Sequence, residues 1–325
     1  MRVMVVGASG AIGTRLVPQL ADQGHEVIGT FFSPGHAGRI RALGAQPVPL
    51  DLLDPAAVRQ AVLEIRPGAI IHQATALAGG GFSRKLDRTF AQTNRLRTEG
   101  IDALLAAARE AGVPRFIAQS FAPYRYAREG GLVKTEDDPL DPAPPAGARE
   151  TNAAMAYLDR VVTGAGGIAL RYGGFYGDPG DQLARAVRKR QFPIIGSGEG
   201  VTSWIHLDDA AAATVLALDR DGPGLYNIVD DEPAPAREWL PVLADALGAK
   251  PPRHLPAWMA RLIIGADATA GATQSRGASN ARARRELRWT PRYPSWRQGF
   301  AASFGPASPP QHPSLTSPVH PDRFR

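Results

Sequence analysis

The opening stretch, Arg2 to Gly13, reads RVMVVGASGAIG and constrains the chain more than any other segment. Arg2 to Val6 is an apolar, β-branched run too short for a helix, so it reads as a buried strand. Glycines follow at 7, 10 and 13, and Ile12, Leu16 and Leu20 recur at helical spacing as far as Gly24. A strand, a glycine turn and a helix follow one another without a spacer. Gly7 makes the tight turn, Gly10 leaves space for backbone to approach a pyrophosphate, and Gly13 permits close helix–strand packing. The helix start, with Ser9, Ala11 and Ile12 around it, offers free N–H groups and a positive dipole end. The expected role is dinucleotide binding rather than that of an ordinary glycine-rich turn.

The rest of the chain alternates in the same way. Strands are expected at 25–31, 47–50, 69–73, 115–119, 167–172 and 225–229, with helices between them, including 90–111, 150–163 and 208–218. Asp54 and Pro55 supply a cap and a first-turn proline for the helix that runs to Ile65. This order predicts an α/β fold, a doubly wound parallel sheet of Rossmann type, with a smaller C-terminal substrate lobe. The expected division is 1–172 with 207–231 for the dinucleotide-binding domain and 173–206 with 232–304 for the lobe. A proline-rich tail, 305–325, is expected to be disordered. The segment 121–149 is too long to be a mere connection and reads as a lid or substrate loop.

Composition excludes several chemistries. There is no cysteine, so disulfides and thiolate catalysis are ruled out, and no His/Asp/Glu spacing suggests a metal site. The net charge of +6 rests on 33 Arg and 4 Lys. The one dense basic group, Arg276 to Arg297, lacks interleaved aromatics, so a solvated helix face is expected and nucleic acid is not. With no leader and no long apolar run, a soluble cytoplasmic protein without membrane contact is expected.

Eight segments carry a resemblance: GASGAIG at 7–13, DLLD at 51–54, IIHQAT at 70–75, Asn94, RFIAQS at 115–120, LRYGGFYG at 170–177, WIHLDDAAAA at 204–213 and YNIVDDE at 226–232. In this order they resemble an extended short-chain dehydrogenase/reductase of the NAD-dependent epimerase/dehydratase family. The resemblance implies that Asp51 and Leu52 meet the adenine, that Ala74 and Thr75 line the nicotinamide ribose, and that Asn94 lies on the cofactor side. An acid at the end of the second strand usually binds the ribose of NAD. Here that position is Phe31 or Phe32, with Ser33, His36, Arg39 and Arg41 close behind, which favours NADP over NAD.

The catalytic pattern departs from the family. Its members use a Ser or Thr after the fifth strand, which Ser120 matches, and a Tyr-x-x-x-Lys pair on the next helix. The lysine lowers the tyrosine's pKa for acid–base work. Spacing puts Thr151 and Met155 at that pair, or Tyr157 and Val161 in a shifted frame, and neither frame has a cation. The candidate replacements, in order, are Tyr126, Tyr176 and Tyr124. His206 and Asp208 are expected to fix the start of a helix, with Asp208 as its cap. Relatives acting on nucleotide sugars carry an Asn after the sixth strand and an Arg-Asp before the WIHLDD-like segment. Gly173-Gly174 and Thr202-Ser203 stand there instead, which disfavours such substrates.

The sequence therefore points to an NAD(P)-dependent oxidoreductase or epimerase/dehydratase acting on a small carbonyl or hydroxyl metabolite. The alternative is an NAD(P)-binding sensor or regulatory protein. The helices 90–111 and 150–163 are the expected faces of a homodimer.

Overall fold

The computed structural model describes residues 1–33, 35–76, 86–122, 125–178 and 182–305. At its centre are seven strands: β1 (Arg2–Val6), β2 (Glu26–Phe31), β3 (Gln46–Pro49), β4 (Ala69–His72), β5 (Arg115–Phe121), β6 (Ile168–Tyr172) and β7 (Gly224–Ile228). They lie in the order β7-β6-β5-β4-β1-β2-β3 and every neighbouring pair is parallel. The chain starts in the middle, runs outward to β3, and returns to β4 on the other side of β1. A crevice opens where the order reverses, beyond the carboxyl ends of β1 and β4.

The alternation of β1 explains the two layers around the sheet. Val3 and Val5 pack with Leu16, Val17 and Leu20 of α1 (Gly13–Asp22), and Met4 and Val6 pack on the opposite face. Side chains along a strand point to opposite faces, so a strand covered on both sides must be apolar at every position. Between β2 and β4 run α2 (His36–Ala42) and α3 (Pro55–Ile65). The Asp54 carboxylate accepts from the backbone N–H groups of Ala56 and Ala57 at 3.0 and 3.1 Å, which caps α3 as its sequence predicts. The helical pattern 90–111 is broken in two: α4 (Leu86–Arg95) and α5 (Ile101–Glu110) are joined by a π-helical turn at Leu96–Gly100. Next comes α6 (Arg149–Gly164), which seats Leu158 and Val162 against Ile101 and Leu104 of α5.

Beyond β6 the chain builds a second apolar cluster from Tyr176, Val187, Trp204, Trp239, Leu243, Trp296 and Phe300. It is carried by α7 (Gln182–Arg188), α9 (Ala236–Ala246) and α13 (Trp296–Phe304), while α8 (Leu207–Ala217) returns to the sheet and packs Ala210 and Ala211 beside Leu16. Three further helices, α10 (Ala257–Ile264), α11 (Ala266–Gln274) and α12 (Ala281–Glu286), complete this half. Phe192 and Trp239 pack ring to ring within it, whereas Trp258 on α10 is 64% exposed.

In the basic group, Arg282, Arg284, Arg285 and Arg297 form ion pairs with Asp137, Asp231, Glu286 and Glu232. Among the described residues no helix is long and apolar enough to cross a membrane, and no cluster of metal-binding side chains occurs. The glycine-rich loop at 78–81, Tyr124 and the tail from 306 lie outside the described residues.

Candidate active site

The loop after β1 is shaped by the space each glycine leaves. Gly7 has φ of +88°, and a Cβ there would fall 2.7 Å from the Cα of Ala74, so the loops after β1 and β4 touch across the crevice. A Cβ on Gly13 would fall 2.5 Å from the Gly7 carbonyl oxygen, which fixes how closely α1 meets the turn. Gly10 differs: the nearest atom to an added Cβ is 3.3 Å away, and both Gly10 and Ala11 are exposed. The backbone is thus exposed at Gly10 and Ala11 and closely packed at Gly7 and Gly13. Ser9 is half-buried and Ile12 is core. A helix start with exposed backbone and no side chain above it fits a pyrophosphate.

The far walls also fit a dinucleotide. Asp51 is exposed at the end of β3, its Oδ1 accepting from the Leu53 N–H at 2.9 Å, and Leu52 is buried beneath it. Ala74 is half-buried and Thr75 exposed after β4. Phe31 is half-buried at the end of β2, and Ser33 and Arg39 are exposed just beyond. No carboxylate stands at that strand end.

Ser120 lies at the end of β5 and is fully buried, directly opposite Arg171 of β6 in the strand register. Its Oγ accepts a hydrogen bond from Nη1 of Arg125 at 3.1 Å, and the same nitrogen donates to the Phe121 carbonyl at 3.0 Å. Arg125 is itself 1% exposed and meets Asp159 of α6 at 2.8 Å. Asp159 also receives Nε of Arg171 at 2.9 Å. Arg171 in turn donates to the Tyr126 hydroxyl at 3.1 Å, and that hydroxyl donates to Oδ1 of Asn227 at 2.7 Å. Arg97, inward-facing on the π-turn, is a third buried guanidinium. Burial and then repulsion from Arg125 push Arg97 down to about 10. Burial likewise lowers Arg125, with Asp159 opposing it. Burial would also weaken Arg171, but Asp159 and the Tyr126 oxygen outweigh it and raise the pKa.

This network is what sequence reasoning missed. Arg125 and Arg171 are two among 33 arginines, and Asp159 sits mid-helix with no motif around it. Its signal is positional only: Asp159 stands four residues beyond Met155, one turn along the same face of α6.

The structure places the other candidates as follows. Tyr126 is buried with both hydrogen-bonding roles of its hydroxyl taken, and burial raises its pKa. Tyr176 is buried in the second cluster, edge-on to His206 and Phe300, and burial raises its pKa strongly. At the expected pair, Thr151 Oγ1 donates to Asp87 Oδ1 at 2.7 Å and accepts from Nδ2 of Asn94 at 3.1 Å, while Met155 is buried. In the shifted frame Tyr157 donates to Asp102 on α5 at 2.7 Å, away from Ser120. The helix start at 207 is capped by His206 rather than Asp208: Nδ1 of His206 accepts the Asp208 N–H at 3.1 Å, and Asp208 pairs with Arg15 at 3.4 Å. Burial lowers the His206 pKa, so the ring is neutral and free to accept.

After β6, an added Cβ at Gly173 would fall 2.7 Å from the Ser203 carbonyl oxygen and 3.0 Å from Val229, so no side chain fits there. Ser203 is buried, its Oγ bonded to the backbone of Ala278 in both directions. Packing thus occupies Gly173 and Ser203, one position in each of the two pairs where the resemblance would put sugar and diphosphate contacts.

Comparison with known proteins agrees with this geometry. Residues 3–229 match the model of the NAD dependent epimerase/dehydratase family. A 3-diazoavenalumate denitrifying reductase from a Streptomyces species is 43% identical over 92% of this chain and 99% of its own length. A 4-hydroxy-2-methyl-3-oxo-4-farnesyl-3,4-dihydroquinoline-1-oxide ketoreductase from Stigmatella aurantiaca is 30% identical over 77% of this chain and 74% of its own. The UDP-glucose 4-epimerase of Thermus thermophilus, solved as a complex with NAD, superposes with a TM-score of 0.70 at 25% identity over 94% of this chain and 98% of that one. With its glycine cradle, its switch point and its matched residues in one sheet, the chain belongs to the NAD-dependent epimerase/dehydratase family.

Proposed function

We propose that the protein is a reductase that uses a nicotinamide dinucleotide to reduce a small organic acceptor without a proton donor on α6. The observation that carries this reading is the state of the expected pair: Thr151 is locked between Asp87 and Asn94, and Met155 carries no proton. When bound, the dinucleotide supplies hydride. Backbone at Gly10 and Ala11 would hold its pyrophosphate, Asp51 its adenine end and Ala74 and Thr75 its nicotinamide ribose. Ser33 and Arg39, with no carboxylate beside Phe31, suit a 2′-phosphate, so NADPH is the proposed donor. Residues 173–206 and 232–304 form the proposed substrate lobe.

A missing acid is consistent with an acceptor that needs none. A diazonium carbon that takes hydride becomes C–H as its C–N bond breaks and N2 leaves with that bond's electron pair. The balance closes with one hydride and no proton. The 43% identical relative is named for reductive removal of nitrogen from a diazo compound, which supports this acceptor class.

A second reading has its own observation. Ser120 carries Arg125 behind its oxygen, which suits a carbonyl acceptor whose oxygen becomes negative as hydride arrives, and ketoreductases are among the relatives. The blocked Gly173 position supports a substrate other than a nucleotide sugar in either case.

The test is NADPH oxidation against arenediazonium and ketone panels with C4-deuterated donor. Deuterium at the carbon that lost N2, with no solvent hydrogen there, supports the first reading. Deuterium at a carbinol carbon supports the second. NADPH binding without oxidation across both panels refutes both and leaves the sensor role. Tighter binding of NADH than of NADPH overturns the cofactor preference.

A further inference from the structure

We propose that Arg125 is a positioning residue that restores, from the loop after β5, the cation that α6 lacks. It holds the Ser120 oxygen so that the Ser120 proton is directed at the acceptor. The proposal rests on the carbonyl form of the reductase reading, in which the acceptor oxygen becomes negative as hydride arrives, but uses a different set of groups.

A serine hydroxyl has one proton and two lone pairs. Here one lone pair is occupied by Arg125 Nη1 at 3.1 Å, so the proton is free to point elsewhere, and the charge beside the oxygen strengthens it as a donor. Arg125 is anchored twice more, at the Phe121 carbonyl and at Asp159. Asp159 is one helical turn past Met155 on the face of α6 that meets the sheet, and both are buried. The resemblance places a lysine at Met155. The helix therefore presents an anion one turn from the position where the resemblance implies a lysine, and Arg125 pairs with it from the loop. Arg171 and Arg97 do not substitute: Arg171 is engaged by Asp159 and Tyr126, and Arg97 lies on the π-turn beside His72. Preorganised donors of this kind act without rearrangement in a site shielded from water.

The test compares wild type, Arg125→Met, Arg125→Lys, Ser120→Ala and the Ser120→Ala/Arg125→Met double variant. Two readouts are used: steady-state reduction, and dissociation constants for the oxidised and reduced dinucleotide measured without acceptor. The expected loss in Arg125→Met is about tenfold to a hundredfold in kcat with little change in KM, and Arg125→Lys recovers most of it. Because Arg125 acts through Ser120, the double variant is no slower than Ser120→Ala. A cation beside the crevice disfavours the positively charged oxidised nicotinamide. Its removal therefore lowers the ratio of oxidised to reduced dissociation constants about threefold or more, and Arg125→Lys leaves the ratio unchanged. A merely structural arginine would move both constants together.

Additive losses in the double variant, or an unchanged ratio in Arg125→Met, overturn the proposal. If wild type reduces nothing, the reductase reading fails, and the ratio alone decides for or against Arg125. Should Arg125→Met not fold, Arg125→Gln, which keeps a donor and loses the charge, takes its place.

Discussion

Replacing Asp159 with Asn tests whether the network beside Ser120 is held by charge or by shape. The two side chains are nearly isosteric, so packing is preserved. Only the anion is lost. Asp159 is 5% exposed and its Oδ2 lies 2.8 Å from Arg125 Nη2 and 2.9 Å from Arg171 Nε. Without it, Arg125 loses its carboxylate partner and Arg171 keeps only the charge of Glu136. Stranding buried charge by removing one partner costs about 3–5 kcal/mol. Unfolding entropy of about 2 cal/mol/K per residue gives a chain of this size roughly 0.6 kcal/mol per degree, so the melting temperature should fall by roughly 5–8 °C. Denaturant titration at neutral pH measures the free energy, and calorimetry measures the melting shift. Asp54→Ala, which removes an exposed helix cap worth about 1 kcal/mol, is the reference for an ordinary polar loss. A loss for Asp159→Asn no greater than that reference would show that water reaches the arginines and that no buried charge network exists.

Gly10→Ala should cost less stability than Gly13→Ala while weakening dinucleotide binding about tenfold or more, because its Cβ would meet one backbone oxygen at 3.3 Å on exposed backbone; Gly13→Ala should lose both, since its Cβ has backbone 2.5 Å away. Binding isotherms and thermal melts separate the two. His72 is buried, with its pKa lowered to about 4 by burial and by Arg97. The unfolded chain takes up that proton below about 6.5, so the contribution of His72 is flat above this pH and is lost as pH drops from about 6.5 to 4, by roughly 3 kcal/mol, and His72→Asn should remove that loss. Asp230 titrates in the opposite direction, raised to about 8 by burial. Its contribution is full below about pH 4 and is lost as pH rises to about 8, so Asp230→Asn should stabilise the protein most on the alkaline side, as read by denaturation at a series of pH values.

The strand–glycine turn–helix unit is legible in the sequence because it is local. Strand, glycines and helix are contiguous, and each glycine is required by atoms within a few residues or across one strand pair. The same holds for the Asp54 cap and the alternation of β1. Three features were not legible, each for a separable reason. The π-turn at Leu96–Gly100 adds a residue to a turn, and apolar spacing is too coarse to register it. β5 continues to Phe121 because β6 pairs with it as far as Tyr172, a tertiary fact. The arginine network joins the π-turn, β5, the following loop, α6 and β6, and no spacing rule relates positions so far apart. The cap at 207 shows a finer limit: the right pair was named, but which member accepts the N–H depends on a lowered histidine pKa set by burial.

Thr151 explains why the departure from the family pattern is more than a lost function. A bare deletion of the tyrosine would leave Asp87 and Asn94 facing a gap between α4 and α6. Here the threonine hydroxyl bonds to both, and the backbone N–H of Thr151 adds a third bond to Asp87 at 2.8 Å. The position has been given over to fastening two helices together. One turn further along α6, Asp159 carries a charge that Arg125 pairs with from the loop. Burying the Arg125 guanidinium is offset by Asp159 at 2.8 Å and by the Phe121 carbonyl, which leaves it fixed on the oxygen of Ser120. Threonine at the position of the family tyrosine, beside a Ser120 oxygen that accepts from Arg125, is the combination that the proposed reductase requires: an acceptor that needs orientation and hydride more than it needs acid.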